Sequence, residues 1–235
     1  MESTTIKNDL LEYVIDGDGF AIITINMVKE PTNLFSIDTF GSDASAGNTI
    51  DLANVLAQDF TLNGSNDVRL GTLGVTNAVN VTANNIGLFG NAYNSGGNFT
   101  LNGAVDLSGA GLVNITAPNV VLGNVNDQLG GPSSLRLTTT GSTSLGNVGT
   151  NQALQDLTIA GGNQALLLGT VVLDNDLIIN NDAAVSIGRL DVAGTGSVLA
   201  GTLDSGNNLL TTHDITLTNQ DNAIDGQLTL VGANV

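Results

Sequence analysis

The chain contains no cysteine and no tryptophan. The absence of cysteine excludes disulfides, cysteine-ligated metal sites and thiol nucleophiles. No run of 18 apolar residues occurs, so we predict no membrane-spanning helix. The N-terminus has no basic stretch followed by an apolar core, so we predict no Sec signal peptide there.

Positive charge is also scarce. The chain has five Lys and Arg residues and 22 Asp and Glu residues, and its net charge is −17. Nucleic-acid binding needs Lys and Arg to neutralise phosphates, so the composition predicts no nucleic-acid partner. An anionic membrane surface would repel the chain as well. With 41% apolar and only 11% charged residues, we expect a folded protein with a solvated acidic exterior rather than a disordered chain.

The composition changes near residue 40. Every Lys and Glu lies within the first 30 residues, whereas from residue 41 onward the acids are all Asp and the only cations are Arg69, Arg136 and Arg189. Gly and Asn dominate this second part. We therefore predict an N-terminal segment over 1–40, a linker over 41–48 and a repeat domain over 49–235.

Short apolar–x–apolar triplets recur through the second part. Alternation with period two indicates strands with one buried and one solvated face. The triplets are Phe60–Leu62, Val68–Leu70, Val79–Val81, Ile86–Leu88, Phe99–Leu101, Val105–Leu107, Val113–Ile115, Val120–Leu122, Leu135–Leu137, Leu157–Ile159, Leu177–Ile179, Val185–Ile187, Ile215–Leu217 and Leu228–Leu230.

A Leu-Gly-x-Val turn recurs among the triplets. It occurs at Leu70–Leu73, Leu122–Val125, Leu145–Val148, Leu168–Val171 and Ile187–Leu190. Triplets starting at 79, 99, 113, 135, 157 and 177 are evenly spaced, except that the step from 99 to 113 is short and suggests a mis-phased triplet. We predict an all-β fold, a right-handed parallel β-helix preceded by a short β-hairpin. About nine or ten coils would give a rod on the order of 45 Å long. An antiparallel sandwich is the alternative, although hairpin turns would not repeat one apolar motif at coil spacing.

The repeat region resembles filamentous-haemagglutinin-like exoproteins and related autotransporter passengers. The likeness lies in Phe60–Ser65, Val113–Ala117, Val121–Val125 and Ser144–Val148. It covers about residues 41–235 and implies part of the β-helical shaft of a secreted bacterial adhesin.

The first 40 residues resemble a different family. Leu10–Val14, the turn Asp16–Gly19 and Phe20–Asn26 predict a β-hairpin. With Met27–Ser36 this stretch is similar to the N-terminus of crotonase-family fatty-acid-oxidation multienzymes, which implies enoyl-CoA hydratase activity. That family uses paired glutamates later in its chain, but no glutamate follows Glu30 here. We expect a fusion, a rearranged gene or a composite sequence, in which the hairpin serves as an N-terminal cap on the repeats.

Two groups of residues are candidate sites. His213 and Asp214 could orient a serine nucleophile, but no nucleophile motif accompanies them, which favours a polar corner. Asp174, Asp176 and Asp182 offer calcium-type oxygen ligands, but their spacing is neither that of an EF-hand loop nor that of the G-G-x-G-x-D nonapeptide repeat, and we interpret them as turn residues. The turn Asp16–Gly19 is interpreted in the same way. We therefore predict no catalytic residue, no metal and no cofactor.

The expected function is structural. We predict a non-catalytic shaft of a secreted or cell-surface bacterial adhesin, with a cell-surface receptor or glycan as partner. End-to-end self-association through the last strand, Leu228–Val231, is a further expectation. The alternatives are a truncated or fused crotonase-type enzyme and a polysaccharide-degrading solenoid. The latter would need an acidic pair flanked by Arg or Lys on adjacent coils.

Overall fold

The structure is a computed structural model that describes residues 4–8, 11–15, 21–24, 34–38, 49–63, 67–109, 111–128, 132–203 and 208–235. All regular structure in these residues is β. Three strands form a small antiparallel sheet: β1 Thr4–Asn8, β2 Leu11–Ile15 and β3 Ala21–Thr24. Strands β2 and β3 pair antiparallel, which confirms the predicted hairpin. The turn Asp16–Gly19 and the predicted linker 41–48 lie outside the described residues.

The remaining strands form one large, mostly parallel sheet. They are β4 Leu34–Asp38, β5 Thr49–Ala57, β6 Asp59–Asn63, β7 Asp67–Val75, β8 Val79–Leu88, β9 Ala92–Ser95, β10 Asn98–Leu107, β11 Gly111–Thr116, β12 Asn119–Leu122, β13 Val125–Asp127, β14 Ser133–Thr139, β15 Thr143–Leu145, β16 Leu157–Gly161, β17 Leu166–Leu173, β18 Leu177–Asn181, β19 Val185–Val192, β20 Gly196–Leu203, β21 Leu209–Thr212, β22 Ile215–Leu217, β23 Ala223–Ile224 and β24 Leu228–Val231.

The parallel pairings arrange these strands in three columns, which we call the first, second and third faces. The first face contains β4, β6, β12, β15, β22 and the first halves of β8, β10, β17 and β19. The second contains β13, β23, the first halves of β5 and β7, and the second halves of β8, β10, β17 and β19. The third contains the second halves of β5 and β7, followed by β9, β11, β14, β16, β18, β20 and β24.

The chain visits the three faces in order and then repeats, which makes it a β-solenoid. Among the described residues, the first and third faces each contain nine stacked strands, which agrees with the predicted nine or ten coils. On the first face, Phe60 pairs with Val79, Val79 with Phe99 and Val120 with Thr143, so the predicted coil spacing is confirmed. At about 4.8 Å per turn, nine turns extend roughly 43 Å.

The short step between the triplets at 99 and 113 marks a change of face. Phe99 lies on the first face and pairs with Val120, whereas Val113 lies on the third face and pairs with Leu135. The series from 113 to 177 then follows the third face. The triplet at 113 is therefore mis-phased, as predicted, because strands of two faces have the same apolar pattern.

The last turn is longer than the others because it contains an antiparallel hairpin. Strands β20 and β21 pair antiparallel from Gly201 to Thr212, outside the parallel columns. Val185 of the preceding turn consequently pairs with Ile215, which lies beyond this hairpin in the chain. The hairpin exposes Leu209 and Leu210.

The core is a continuous aliphatic column inside the solenoid. It extends from Ile50 to Ile215 and contains apolar side chains from all three faces. Leu217, Ile224, Leu228 and Leu230 of the last turn are only partly buried against it. Parallel stacking satisfies the backbone hydrogen bonds between turns, so a turn is stable only beside its neighbours.

One buried phenol joins two turns of the core. The Tyr93 hydroxyl donates to the Leu70 carbonyl oxygen (2.7 Å) and accepts from the Gly90 N–H (2.9 Å), while its ring packs edge-on against Phe99 with centroids 6.2 Å apart. Burial raises the pKa of Tyr93 well above its ordinary value, and the Gly90 hydrogen bond opposes this shift. The folded state therefore retains the neutral phenol.

Replacing Tyr93 with Phe should lower the free energy of unfolding by about 1–3 kcal/mol at neutral pH, because the two hydrogen bonds of the phenol, with the Gly90 N–H and the Leu70 C=O, are lost at about 0.5–1.5 kcal/mol each. The phenol's contribution should be complete below the unfolded pKa of about 10 and should decline as the pH rises above it. Denaturant unfolding at neutral and alkaline pH tests this. The difference in the free energy of unfolding between the native and Tyr93→Phe proteins should decrease as the pH rises. A difference that stays constant would contradict the assignment.

Candidate functional site

The corners of the solenoid consist of stacked glycine and amide residues. Four of the five Leu-Gly turns stack at the corner between the first and second faces, with Gly123, Gly146, Gly169 and Gly188 above one another; the turn at Leu70 lies at the next corner. A Cβ at Gly123 would lie 2.1 Å from the Gly103 carbonyl oxygen. Because consecutive turns approach so closely, only glycine fits here.

Asn side chains connect the turns at this same corner. The Asn124 Oδ1 accepts from the Asn147 N–H, and the Asn147 Oδ1 accepts from the Thr170 N–H, both at 2.9 Å. Each Asn amide oxygen thus accepts a hydrogen bond from a backbone N–H of the following turn. These N–H groups lie at the corner. These residues are a structural ladder.

Aspartates form an equivalent ladder where the chain enters the third face. Asp156 Oδ1 accepts from Asn175 Nδ2 (2.7 Å) and the Asp176 N–H (3.1 Å). Asp176 Oδ1 in turn accepts from the Thr195 N–H (2.7 Å) and Oγ1 (2.9 Å). The Thr195 backbone and side-chain hydrogen bonds lower the pKa of Asp176 below its usual value.

The structure does not bring the calcium-type carboxylates together. Asp174 and Asp176 precede β18, whereas Asp182 follows it at the next corner, where its N–H donates to the Gly162 carbonyl oxygen. Within the described residues, no group of three or more His, Asp or Glu side chains is arranged to hold a metal ion. Asp176 serves as a ladder acceptor, in agreement with the turn interpretation.

His213 and Asp214 lie between β21 and β22 on the exposed surface. The His213 N–H donates to the Ala200 carbonyl oxygen, and the Asp214 carboxylate accepts from Asn234 Nδ2 at 2.7 Å. The Asp214 backbone oxygen accepts from the Val185 N–H. Both residues therefore hold the last turn against its neighbours at a polar corner, as the sequence suggests.

A polar groove opens on the outer surface of the second face, and we call it the second-face groove. Its volume is about 250 Å³. It crosses four successive turns, each contributing outward-facing polar groups. The lining residues are Asp67, Val68, Arg69, Asn85, Gly87, Asp106, Ser108 and Gln128.

The register places the charged groups of this groove on two turns that are separated by a third. Arg69 pairs with Gly87, and Gly87 pairs with Asp106, so one outward row contains the guanidinium, a gap and the carboxylate. Asp67 is on the same turn as Arg69 and pairs with Asn85, whose Nδ2 donates to the Asp67 Oδ1 at 2.8 Å. The groove therefore contains two carboxylates and one guanidinium.

The electrostatics of the groove centre on Asp106. Desolvation by burial raises the pKa of this carboxyl above its usual value, and the negative charge of Asp67 raises it further. The Arg69 guanidinium lies 5.3 Å from the centroid of the Phe89 ring, over its face, in a cation–π arrangement. Ser108 Oγ is buried in the same groove without a hydrogen-bond partner among the described residues.

Sequence reasoning missed this cluster. Asp67 and Asp106 lie far apart in the chain, and neither belongs to a catalytic motif, although Asp106 is the middle residue of the triplet Val105–Leu107. The polysaccharide-enzyme alternative required an acidic pair flanked by Arg or Lys on adjacent coils. Asp67 and Arg69 share one turn, but Asp106 lies two turns further on, so the groove meets this requirement only in part. Recognising it would have needed the register of β7, β8 and β10, since a shift of one residue turns these side chains to the core.

A second, larger groove of about 580 Å³ lies at the corner between the first and second faces. Residues 218–221 form one wall, because this corner is longer in the last turn than in earlier ones. The Arg189 Nη2 bonds the Asp191 Oδ2 at 3.1 Å, and Arg189 Nε is buried without a partner among the described residues. The third arginine, Arg136, is exposed on the third face, paired with Asn114 and Thr158. The three arginines thus lie at separate places.

The fold and these surface features define the chain as a β-solenoid repeat protein. A scan against protein-family models, a search of curated proteins and a search of solved structures each return no match to this chain. In the part of the chain that the structure describes, no helix is long and apolar enough to cross a membrane.

Proposed function

We propose that this chain is part of the non-catalytic shaft of a secreted or surface-exposed bacterial adhesin. The observation that carries the proposal is the uninterrupted core from Ile50 to Ile215 together with the hydrogen-bonded corner ladders. Such a core makes a rod whose outer surface is free to present binding features, which suits a projecting structural element.

The proposed partner is a receptor or glycan of a host or neighbouring cell. The acidic exterior, with a net charge of −17, argues against nucleic acid and anionic membranes as partners. End-to-end contact between copies is also proposed, through the partly buried Leu228 and Leu230 of β24. A sedimentation coefficient that rises with concentration would support it, whereas a constant monomeric value would count against it.

The location and the adhesive role are tested on cells of the source organism. Antibodies against the full chain should label intact cells, and purified chain coated on beads should make the beads adhere to target cells. Beads coated with an unrelated acidic protein are the control. Labelling that requires permeabilised cells, or beads that adhere no better than the control, would overturn the proposal.

A polysaccharide-degrading enzyme is the second candidate, and the observation that favours it is that Asp67, Asp106 and Arg69 line one groove. The test is release of reducing ends, or of unsaturated products, from a panel of polysaccharides. Our first proposal predicts no release above background. Release by the native chain that disappears in Asp106→Asn would instead establish the enzyme. The hydratase alternative is not pursued, because no glutamate follows Glu30.

A further inference from the structure

We propose that the second-face groove binds a neutral glycan as a short, hydroxyl-rich segment lying across the turns. The proposal rests on the surface function above and specifies the part of the shaft that contacts sugar. Four properties of the groove support it: its open floor, its mixture of donors and acceptors, its charge and its shape.

The floor of the groove is open because position 87 is glycine. Gly87 lies in β8 between Ile86 and Leu88, both fully buried. Its backbone does not adopt a left-handed conformation, and a Cβ there would meet Ser108 Oγ at 3.4 Å and Arg69 Cγ at 3.5 Å, close to ordinary contact distances. Unlike the corner glycines, Gly87 is not required by the backbone. Its effect is to leave space between Arg69 and Asp106.

The lining supplies hydrogen-bond donors and acceptors together. Asp67 and Asp106 accept, the Arg69 guanidinium donates, and the amides of Asn85 and Gln128 do both. Sugar hydroxyls also donate and accept, so they match such a mixture. The buried Ser108 Oγ has no partner among the described residues, and a ligand hydroxyl would supply one. Buried polar groups normally have a partner.

The charge of the groove selects for a neutral ligand. Two carboxylates against one guanidinium, on a protein of net charge −17, disfavour phosphate, sulfate and acidic sugars. A basic peptide would be attracted to the carboxylates, but Arg69 is in the same row as Asp106 and repels a cation placed between them. A neutral ligand with hydroxyl donors fits best, because these donors also stabilise the partly desolvated Asp106 carboxylate.

The shape of the groove fits an elongated ligand. Asp67, Asn85, Asp106 and Gln128 come from four successive turns, which extend roughly 14 Å along the solenoid axis. The volume of about 250 Å³ is modest, below the roughly 300–1,000 Å³ of drug-sized pockets. The groove therefore accommodates a short oligosaccharide held along one side, with its other side in solvent.

The experiment uses the full chain on an array of neutral, sialylated and sulfated glycans, followed by calorimetric titration with the strongest neutral glycan. Gly87→Val fills the space between Arg69 and Asp106 and should weaken binding at least about tenfold, as should Asp106→Ala, which removes an acceptor. Ser144→Val on the exposed side of the first face is the matched control and should bind as the native chain does. Unchanged circular dichroism and thermal melting verify that each variant is folded.

Binding to no glycan, binding only to acidic glycans, or affinity unchanged in both groove variants would overturn the proposal. Preferential capture of a Lys-rich peptide over all neutral glycans would overturn it in favour of a basic partner. The same variants separate the two proposals. If beads coated with Gly87→Val protein adhere to cells as well as beads coated with the native chain, the groove is rejected as the glycan-binding site. The adhesin function would then remain intact. Failure of native beads to adhere would reject the function itself.

Discussion

Leu166→Ala should lower the free energy of unfolding by about 2–5 kcal/mol, whereas Leu167→Ala should change it by no more than about 0.5 kcal/mol. The two residues are consecutive in β17, where Leu166 is 1% exposed and Leu167 is 66% exposed. Leu166 packs in the interior column and pairs with Val185 of the next turn. Removing its side chain leaves a cavity that the stacked turns cannot close, since each turn is hydrogen-bonded on both sides.

Urea unfolding followed by circular dichroism measures both variants in the same chain. Leu167→Ala is a matched control because residue type, strand and substitution are identical and only the burial differs. Equal destabilisation by the two substitutions would contradict the assignment of Leu166 to the core. An effect of Leu167→Ala larger than that of Leu166→Ala would place β17 in the opposite register.

Gly161→Ala should destabilise the protein by more than the about 1–2 kcal/mol that a left-handed conformation costs an L-residue. Gly161 ends β16 with φ of 82°, and a Cβ there would lie 2.1 Å from the Thr139 carbonyl oxygen. Thr139 is its partner in the parallel pairing with β14. The backbone cannot move away without separating two turns, so the strain adds to the conformational cost.

Two other glycines provide the controls. Gly111 has φ of 125° but nothing within 4 Å of an added Cβ, so Gly111→Ala reports the conformational cost alone. Gly87→Ala has neither a left-handed backbone nor a close contact and should be nearly neutral. Melting temperatures and soluble yields should therefore rank Gly87→Ala highest, Gly111→Ala next and Gly161→Ala lowest. A Gly161→Ala protein as stable as Gly111→Ala would show that the turns separate easily at this corner.

The strand pattern could be read from the chain because it depends on local alternation. Val79 and Val81, or Leu177 and Ile179, are buried on alternate positions as the triplets predict. The Leu-Gly corners could also be found, since glycine is needed wherever consecutive turns approach closely. The face to which each triplet belongs could not be found. All three faces present the same apolar alternation to the same core, so Phe99 and Val113 look alike in sequence.

The second-face groove could not be predicted from the sequence for a related reason. Arg69, Gly87 and Asp106 become neighbours only through the register of three strands, each a full turn of the solenoid from the next. The number of residues at each corner varies. An error in placing one corner therefore shifts the register of every strand that follows it. The hairpin β20–β21, which lengthens the last turn, is a clear example.

Local composition thus determined that this chain is an acidic, all-β repeat protein with an aliphatic interior, because period-two alternation and corner glycines are properties of neighbouring residues. Tertiary structure alone decided the three faces and brought Asp67, Arg69 and Asp106 into one groove. The reason is that stacking order and register are set by hydrogen bonds between turns. Those bonds join residues that are distant in the chain, and the residue types do not identify which residues pair.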